Sequence, residues 1–277
     1  MPFSVLMSLY AKEKPEYFWE SLNSIFNQTH KADEVILVED GPLTTELYDI
    51  IKEFQKFHPE LHTLSLPYNS GLGKALNEGL KYCSYDIVAR MDTDDIAKNN
   101  RFEKQIEFME SHPEIDICSS WVDEFIGDTS NVISVKKVPQ YHEEIYKFGK
   151  TRSPLNHPAV MFRKKSVIDS GGYGPFPEDY YLWGRMLVKG YKMYNFQESF
   201  VFFRISKDVF KRRGGWSYYK QILKLQKELK NISYISYTEY LKNIIYRTVV
   251  TLMPNSIRAF IYNKFLRSKN KHHFIPN

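Results

Sequence analysis

The sequence predicts an α/β fold: a mostly parallel, Rossmann-like sheet with flanking helices, followed by a C-terminal helical extension. Three features carry this expectation. Short apolar runs alternate with amphipathic stretches from residue 3 to residue 95, acidic or glycine-rich turns follow those runs, and basic residues concentrate beyond residue 205. Strands that alternate with helices build βαβ crossovers, which force neighbouring strands to run parallel.

In chain order, residues 3–8 (FSVLMS) form the first expected strand. A helix follows, opened by Pro15 in its first turn, with Phe18, Leu22, Ile25 and Phe26 on one face. Residues 34–39 (EVILVE) are a second strand that ends in the turn Asp40-Gly41-Pro42. Leu47, Ile50, Ile51 and Phe54 have the spacing of a helix buried along one stripe. A third strand is expected over 61–66. A helix over 71–82 then turns Leu72, Ala75, Leu76 and Leu80 inward. Residues 86–91 (DIVARM) form a fourth strand, stopped by Asp92-Thr93-Asp94-Asp95. Residues 115–203 mix strands and helices less regularly, and helices are expected over 217–229 and 237–266, the latter broken near Pro254. These elements divide the chain into a domain over 1–204 and a basic amphipathic tail over 205–277.

With 277 residues, 43% of them hydrophobic, the chain can bury a sizeable core in one domain plus an appendage. Cys83 and Cys118 are its only cysteines, which implies no disulfide framework and fits a reducing compartment. The first residues lack a basic start and a long apolar stretch, so no signal peptide is expected. No run approaches the roughly 18 apolar residues that span a bilayer. The net charge of +5 hides a division: residues 205–277 hold 15 Lys and Arg against 3 Asp and Glu, leaving 23 basic and 30 acidic residues before them. A basic tail of this kind faces nucleic acid or acidic lipid. The acidic front half and the lack of a nucleic-acid motif speak against nucleic acid. Two readings of the tail stand. In one, Leu241, Ile244, Ile245 and Val249, with Lys242 and Arg247 between them, lie in an anionic membrane interface. In the other, the helices pack on the domain and leave a solvated basic face.

The strongest chemical signal is Asp92-Thr93-Asp94-Asp95, because a strand delivers three mutually repelling carboxylates to one point. A hard divalent cation, Mn²⁺ or Mg²⁺, would neutralise them. Asp40, before a glycine, can accept a hydrogen bond from a uracil or guanine ring N–H; Ser8 and Tyr10 end the neighbouring strand. Asn69-Ser70-Gly71-Leu72-Gly73-Lys74 opens a helix with glycines that let backbone amides approach phosphate, and Lys74 adds positive charge. The run is neither a Walker A sequence nor a dinucleotide fingerprint. Glu178 and Asp179 precede the apolar stretch Tyr180-Tyr181-Leu182-Trp183, where an acid can serve both as a first-turn residue and as a rigidly held base. His157, in Asn156-His157-Pro158, is a further candidate, although a lone histidine is more often a structural hydrogen-bonder.

Read in order, FSVLMSLYAKEKPEYFWESLNSIFNQT, VILVEDG, NSGLGKALNEGL, VARMDTDD, NHPAVMFRK, SGGY and EDYYLWGRM resemble the family 2 glycosyltransferases of GT-A fold over residues 3–213. The branch that builds exopolysaccharides and O-antigens is the most similar, and Arg212-Arg213-Gly214-Gly215 and the basic C-terminal helices fit it. The resemblance implies a nucleotide-binding half over 1–95 and an acceptor half over 96–204. Asp40, Ser8 and Tyr10 would read the nucleotide base, with Asn69 and Lys74 also on the nucleotide-sugar. Asp92 and Asp94 would form the D-x-D pair with Asp94 as metal ligand and Asp95 beside it. Asp179, next to Glu178, would be the catalytic base. Glu39 stands where many relatives have Asp, and no role transfers to it. The implied reaction is inverting transfer of a hexose, from UDP-galactose or UDP-glucose, to a saccharide carried on undecaprenyl diphosphate at the cytoplasmic face of the membrane. A nucleotidyltransferase is the rival enzyme class, since it also needs metal-binding carboxylates on an α/β sheet; a non-catalytic nucleic-acid-binding protein is the rival outside enzymes.

Overall fold

The computed structural model describes residues 1–174, 177–205 and 215–252. One nine-stranded sheet organises them. Its first half comprises β1 (Phe3–Leu9), β2 (Glu34–Glu39), β3 (Leu61–Ser65) and β4 (Ile87–Arg90), in the order β3-β2-β1-β4 and parallel throughout. The crossovers are α1 (Pro15–Phe26), α2 (Thr45–Gln55) and α3 (Leu72–Tyr82), so all four strand carboxyl ends open on the same edge. Both faces of β1, β2 and β4 are covered, and their residues alternate between two cores, while β3 is a largely exposed edge strand. Phe3, Val5, Met7 and Leu9 of β1 belong to one core, with Val35 and Leu37 of β2, Ala89 of β4 and the inner faces of α1 and α2. Leu6, Ile36, Val38 and Val88 point the other way, into a core shared with Ala75, Leu76 and Leu80 of α3. Cys83 and Cys118 are buried free thiols.

The second half of the sheet is mixed. β8 (Met161–Arg163) runs antiparallel to β4 and continues to β6 (Ile117–Phe125), which pairs in parallel with β9 (Met193–Arg204). The short β5 (Ile96–Ala97) closes the edge on β9, and β7 (Val132–Lys136) forms a hairpin with β6. Helices α4 (Arg101–Ser111), α5 (His142–Gly149), α6 (Lys164–Asp169) and α7 (Glu178–Val188) surround this half. The chain then forms an α-helical hairpin, α8 (Gly215–Asn231) and α9 (Tyr237–Leu252). Leu225, Leu229, Tyr234 and Ile235 of this hairpin enter the second core beside Leu182, Trp183 and Met186 of α7. The expected helical segment over 257–266 and the Arg212–Gly214 part of the arginine–glycine run lie outside the described residues.

Candidate active site

The carboxyl ends of β1, β2 and β4 place the first candidates side by side. The Asp40 N–H donates to the Leu9 carbonyl at 2.7 Å, and the Thr93 hydroxyl donates to the Ser8 carbonyl at 3.5 Å. Ser8 is partly buried and Tyr10 is exposed. The Asp40 carboxylate receives the N–H groups of Ser70 at 2.6 Å and Gly71 at 3.0 Å. Gly41 makes this possible. Its φ is +86°, and a Cβ there would stand 2.6 Å from the Asn69 nitrogen. The Asp40 turn and the loop opening α3 are therefore one unit. The amides of Ser70 and Gly71, which the glycine-rich run offered to phosphate, are engaged by Asp40; exposed Asn69 and Lys74 are the groups left facing outward. Glu39 is buried and accepts the Ser65 hydroxyl at 2.5 Å, tying β2 to β3.

Beyond β4, ligand oxygens of Asp92, Asp94 and Asp95 lie within 4.8 Å of one another. The three carboxylates have different partners. Asp92 forms an ion pair with Arg90, whose side chain is only 1% exposed. Asp95 is fully buried; one oxygen accepts the Arg204 N–H at 2.7 Å, while Oδ2 has no partner. Asp94 receives no hydrogen bond from another side chain among the described residues. Desolvation, then repulsion from Asp92 and Glu13, pushes Asp94 up to about 7. Desolvation and the charges of Asp94 and Asp92 push Asp95 well above the carboxylate range. Glu13 joins from the loop after β1, accepting the Thr93 hydroxyl at 3.0 Å. The backbone around the cluster is fixed by Ser21 of α1, which donates to the Asp92 carbonyl at 2.8 Å, and by Arg204, whose Nε donates to the Asp94 carbonyl at 2.8 Å. Arg204 also pairs with Glu20 and lies over the rings of Tyr17 and Phe125.

The first turn of α7 meets the start of α3. A Cβ on Gly73 would stand 2.5 Å from the Gly174 carbonyl oxygen and 3.1 Å from the Glu178 Cβ, so the glycine lets α3 and α7 meet at their N-terminal ends. Asn77 of α3 holds the loop between them, exchanging hydrogen bonds of 2.8 Å each with the N–H and carbonyl of Tyr173. Burial, then Asp179, pushes Glu178 up to about 7, with Arg90 and Asp92 also close enough to act on it. Asp179, next in the turn, keeps some open surface but has protein on most sides. Desolvation raises its pKa, and the Ser153 hydroxyl donates to it at 3.4 Å. Tyr173 is buried where it feels Arg90, Asp179, Glu178 and Asp92 together. His157, in a 3-10 turn before β8, places Nε2 3.3 Å from the Tyr173 hydroxyl; desolvation and then Arg90 hold it well below its ordinary pKa, hence neutral. Arg90 and Tyr173 thus lie within electrostatic reach of both the aspartate cluster and the Glu178–Asp179 pair.

The family model for "Glycosyl transferase family 2" matches residues 4–172, which include the carboxyl ends of β1, β2 and β4. The chain belongs to glycosyl transferase family 2. A UDP-Gal:alpha-D-GlcNAc-diphosphoundecaprenol beta-1,3-galactosyltransferase of Escherichia coli is 42% identical over 267 residues, covering 96% of each chain. The amylovoran biosynthesis glycosyltransferase AmsE of Erwinia amylovora is 41% identical over 267 residues, covering 95% of this chain and 98% of its own. Among solved structures, the mannosyltransferase PcManGT of Pyrobaculum calidifontis, in complex with GDP-Man and Mn²⁺, superposes with a TM-score of 0.62 at 14% identity, over 92% of this chain and 71% of that one. That likeness shows the shared GT-A fold.

Four residues at the site escape sequence reasoning. Arg90 leaves a readable trace, a lone cation inside an otherwise apolar strand. Tyr173 sits after the Gly171-Gly172 pair. Glu13 and Arg204 leave none: Arg204 lies 109 residues from Asp95, and only the fold brings them together.

Proposed function

We propose that this glycosyltransferase is an inverting, metal-dependent hexosyltransferase. It carries galactose or glucose from UDP to a saccharide on undecaprenyl diphosphate, in surface-polysaccharide synthesis at the cytoplasmic face of the membrane. One observation carries the reading. A metal-competent aspartate cluster and a second pair of raised carboxylates both lie within electrostatic reach of buried Arg90 and Tyr173. The names of the Escherichia coli and Erwinia relatives support the donor, the lipid-linked acceptor and the pathway class.

The residues fit a hard divalent cation. The buried Asp95 Oδ2 lacks a partner, and Asp94 is penalised as an anion by burial and by its neighbours, costs that a cation relieves. Asp94 would hold Mn²⁺ or Mg²⁺, with Asp92 and Asp95 beside it; the PcManGT complex carries Mn²⁺. Such an ion, when bound, supplies Lewis-acid neutralisation of charge on a departing nucleoside diphosphate. Arg90 fixes the orientation of Asp92. Asp40 keeps lone pairs free beyond those taken by Ser70 and Gly71 and reads the nucleobase, with Ser8 and Tyr10 beside it. Asn69 and Lys74 line the donor at the start of α3. Asp179 takes the proton of the acceptor hydroxyl as that oxygen attacks the anomeric carbon. A base on the face opposite the leaving group gives single displacement, so a UDP-α-hexose yields a β-linkage.

The purified chain, given a panel of nucleotide sugars with Mn²⁺, is expected to release UDP from a UDP-hexose; release of pyrophosphate would instead identify a nucleotidyltransferase. By calorimetry, Asp94→Ala should abolish Mn²⁺-dependent donor binding. Unchanged metal-dependent affinity in that variant would remove Asp94 from the metal site.

A further inference from the structure

Helix α9 packs Tyr240 and several polar groups against the domain yet leaves a continuous apolar stripe outside. Its inward side carries polar groups: Asn243 donates to the Gln226 Oε1 at 2.8 Å and to the Lys150 carbonyl at 2.7 Å, Thr248 bonds the Tyr219 hydroxyl at 2.6 Å, and Arg247 donates to the Thr151 carbonyl at 2.6 Å. Its outward side carries Tyr237, Leu241, Ile245 and Val249, one helical turn apart, exposed by 63%, 42%, 67% and 59%. Tyr246 widens the stripe. Helices that border water in folded domains turn such a stripe inward, and a contiguous exposed apolar patch marks an interaction surface.

Charge identifies the occupant. Lys242 is exposed within the stripe, and α8, the other arm of the hairpin, exposes Lys220, Lys224 and Lys227 with Trp216. The hairpin's two acids are Glu228 and Glu239, and Glu239 is neutralised by Lys150 at 2.9 Å. An apolar stripe on a hairpin that also exposes lysines and aromatic residues has the chemistry that lies in an anionic lipid interface. No helix among the described residues is long and apolar enough to cross a membrane, so contact through this helix is interfacial.

We infer that the outer stripe of α9 is a lipid-docking surface that also sets the acceptor side of the active site against the membrane; the second part rests on the transferase reading above. The link is short. The inner side of α9 grips Lys150 and Thr151, and Ser153, two residues on, donates to Asp179. Docking through the outer stripe therefore orients the loop that holds the proposed base.

The full chain and its Leu241→Glu/Ile245→Glu/Val249→Glu variant would be floated with vesicles of phosphatidylglycerol and phosphatidylethanolamine. Binding should fall by about tenfold or more in the variant, with the melting temperature retained because all three side chains are exposed. Lys242→Glu should weaken binding less and make it less salt-dependent. Equal flotation of the wild type and the triple variant would overturn the docking surface. So would a wild-type dimer that the triple substitution turns into a monomer without loss of flotation, since the stripe would then cover a second copy. A galactosyl-acceptor assay separates the two parts of the proposal. Transfer to a vesicle-embedded diphosphate-linked saccharide should fall with flotation, while transfer to a short-chain, water-soluble analogue should stay within about twofold. If the wild type uses neither acceptor, the transferase reading fails, and flotation alone still decides the docking surface.

Discussion

Asp179 and Glu178 are adjacent in sequence yet differ in environment, and that difference sets what each can do. Asp179 is held by Ser153 and its helix turn, and burial raises its pKa, which makes its carboxylate a stronger base. Replacing it with Asn should leave donor affinity nearly intact and reduce kcat by roughly 10²–10⁴-fold, the range for removal of a general base; steady-state kinetics with calorimetric donor binding checks both halves. Glu178, pushed to about 7, loses its proton over the physiological range and adds a negative charge beside Asp179. Removing that charge with Glu178→Gln should lower the Asp179 pKa, so the acidic limb of the kcat/KM profile moves to lower pH. An unmoved limb would mean that the two groups do not titrate together.

At the scale of elements, α3 is the part that assembles the site. Its N-terminus is tied to Asp40, its Gly73 admits α7, and its Asn77 holds Tyr173. Gly73→Val should force the Gly174 carbonyl away and cost roughly 1–3 kcal/mol by overpacking, read by urea unfolding. Because the displaced loop carries Tyr173 toward Glu178 and Asp92, kcat should fall more than stability alone predicts. Much of this architecture was legible beforehand. Phe18, Leu22, Ile25 and Phe26 of α1 are all buried, as their spacing required, and the acidic strand end at 92–95 is the cluster itself. The missing part is non-local. A short apolar run says that Ile87–Arg90 is a strand, but not that an antiparallel β8 lies next to it, and no local pattern pairs Arg204 with Asp95. For α9 the periodicity was plain, yet a pattern of apolar spacing cannot say which side of a helix meets water.

For the molecule as a whole, the site stores electrostatic strain. Asp94 and Glu178 sit near 7 when folded, against ordinary values of 3.8 and 4.5 unfolded, so the folded state holds protons that the unfolded state has released. Stability from these groups is complete below about pH 4, where both states are protonated, and is lost as pH rises through 7. The metal-free protein should therefore melt at a lower temperature at pH 7.5 than at pH 5.5. Mn²⁺ with UDP should restore most of the difference at pH 7.5 and little at pH 5.5, as followed by differential scanning fluorimetry. An opposite pH slope would show that other groups dominate.

The grip of Arg204 on Asp94 and Asp95 also dictates an order of events during synthesis. The aspartates leave the ribosome more than a hundred residues before the arginine that fixes their backbone and caps the Asp95 oxygen. A nascent chain halted short of β9 holds the whole parallel half of the sheet and all three acids, but not the residue that locks them. The aspartate cluster thus gains its backbone lock only once β9 has been made.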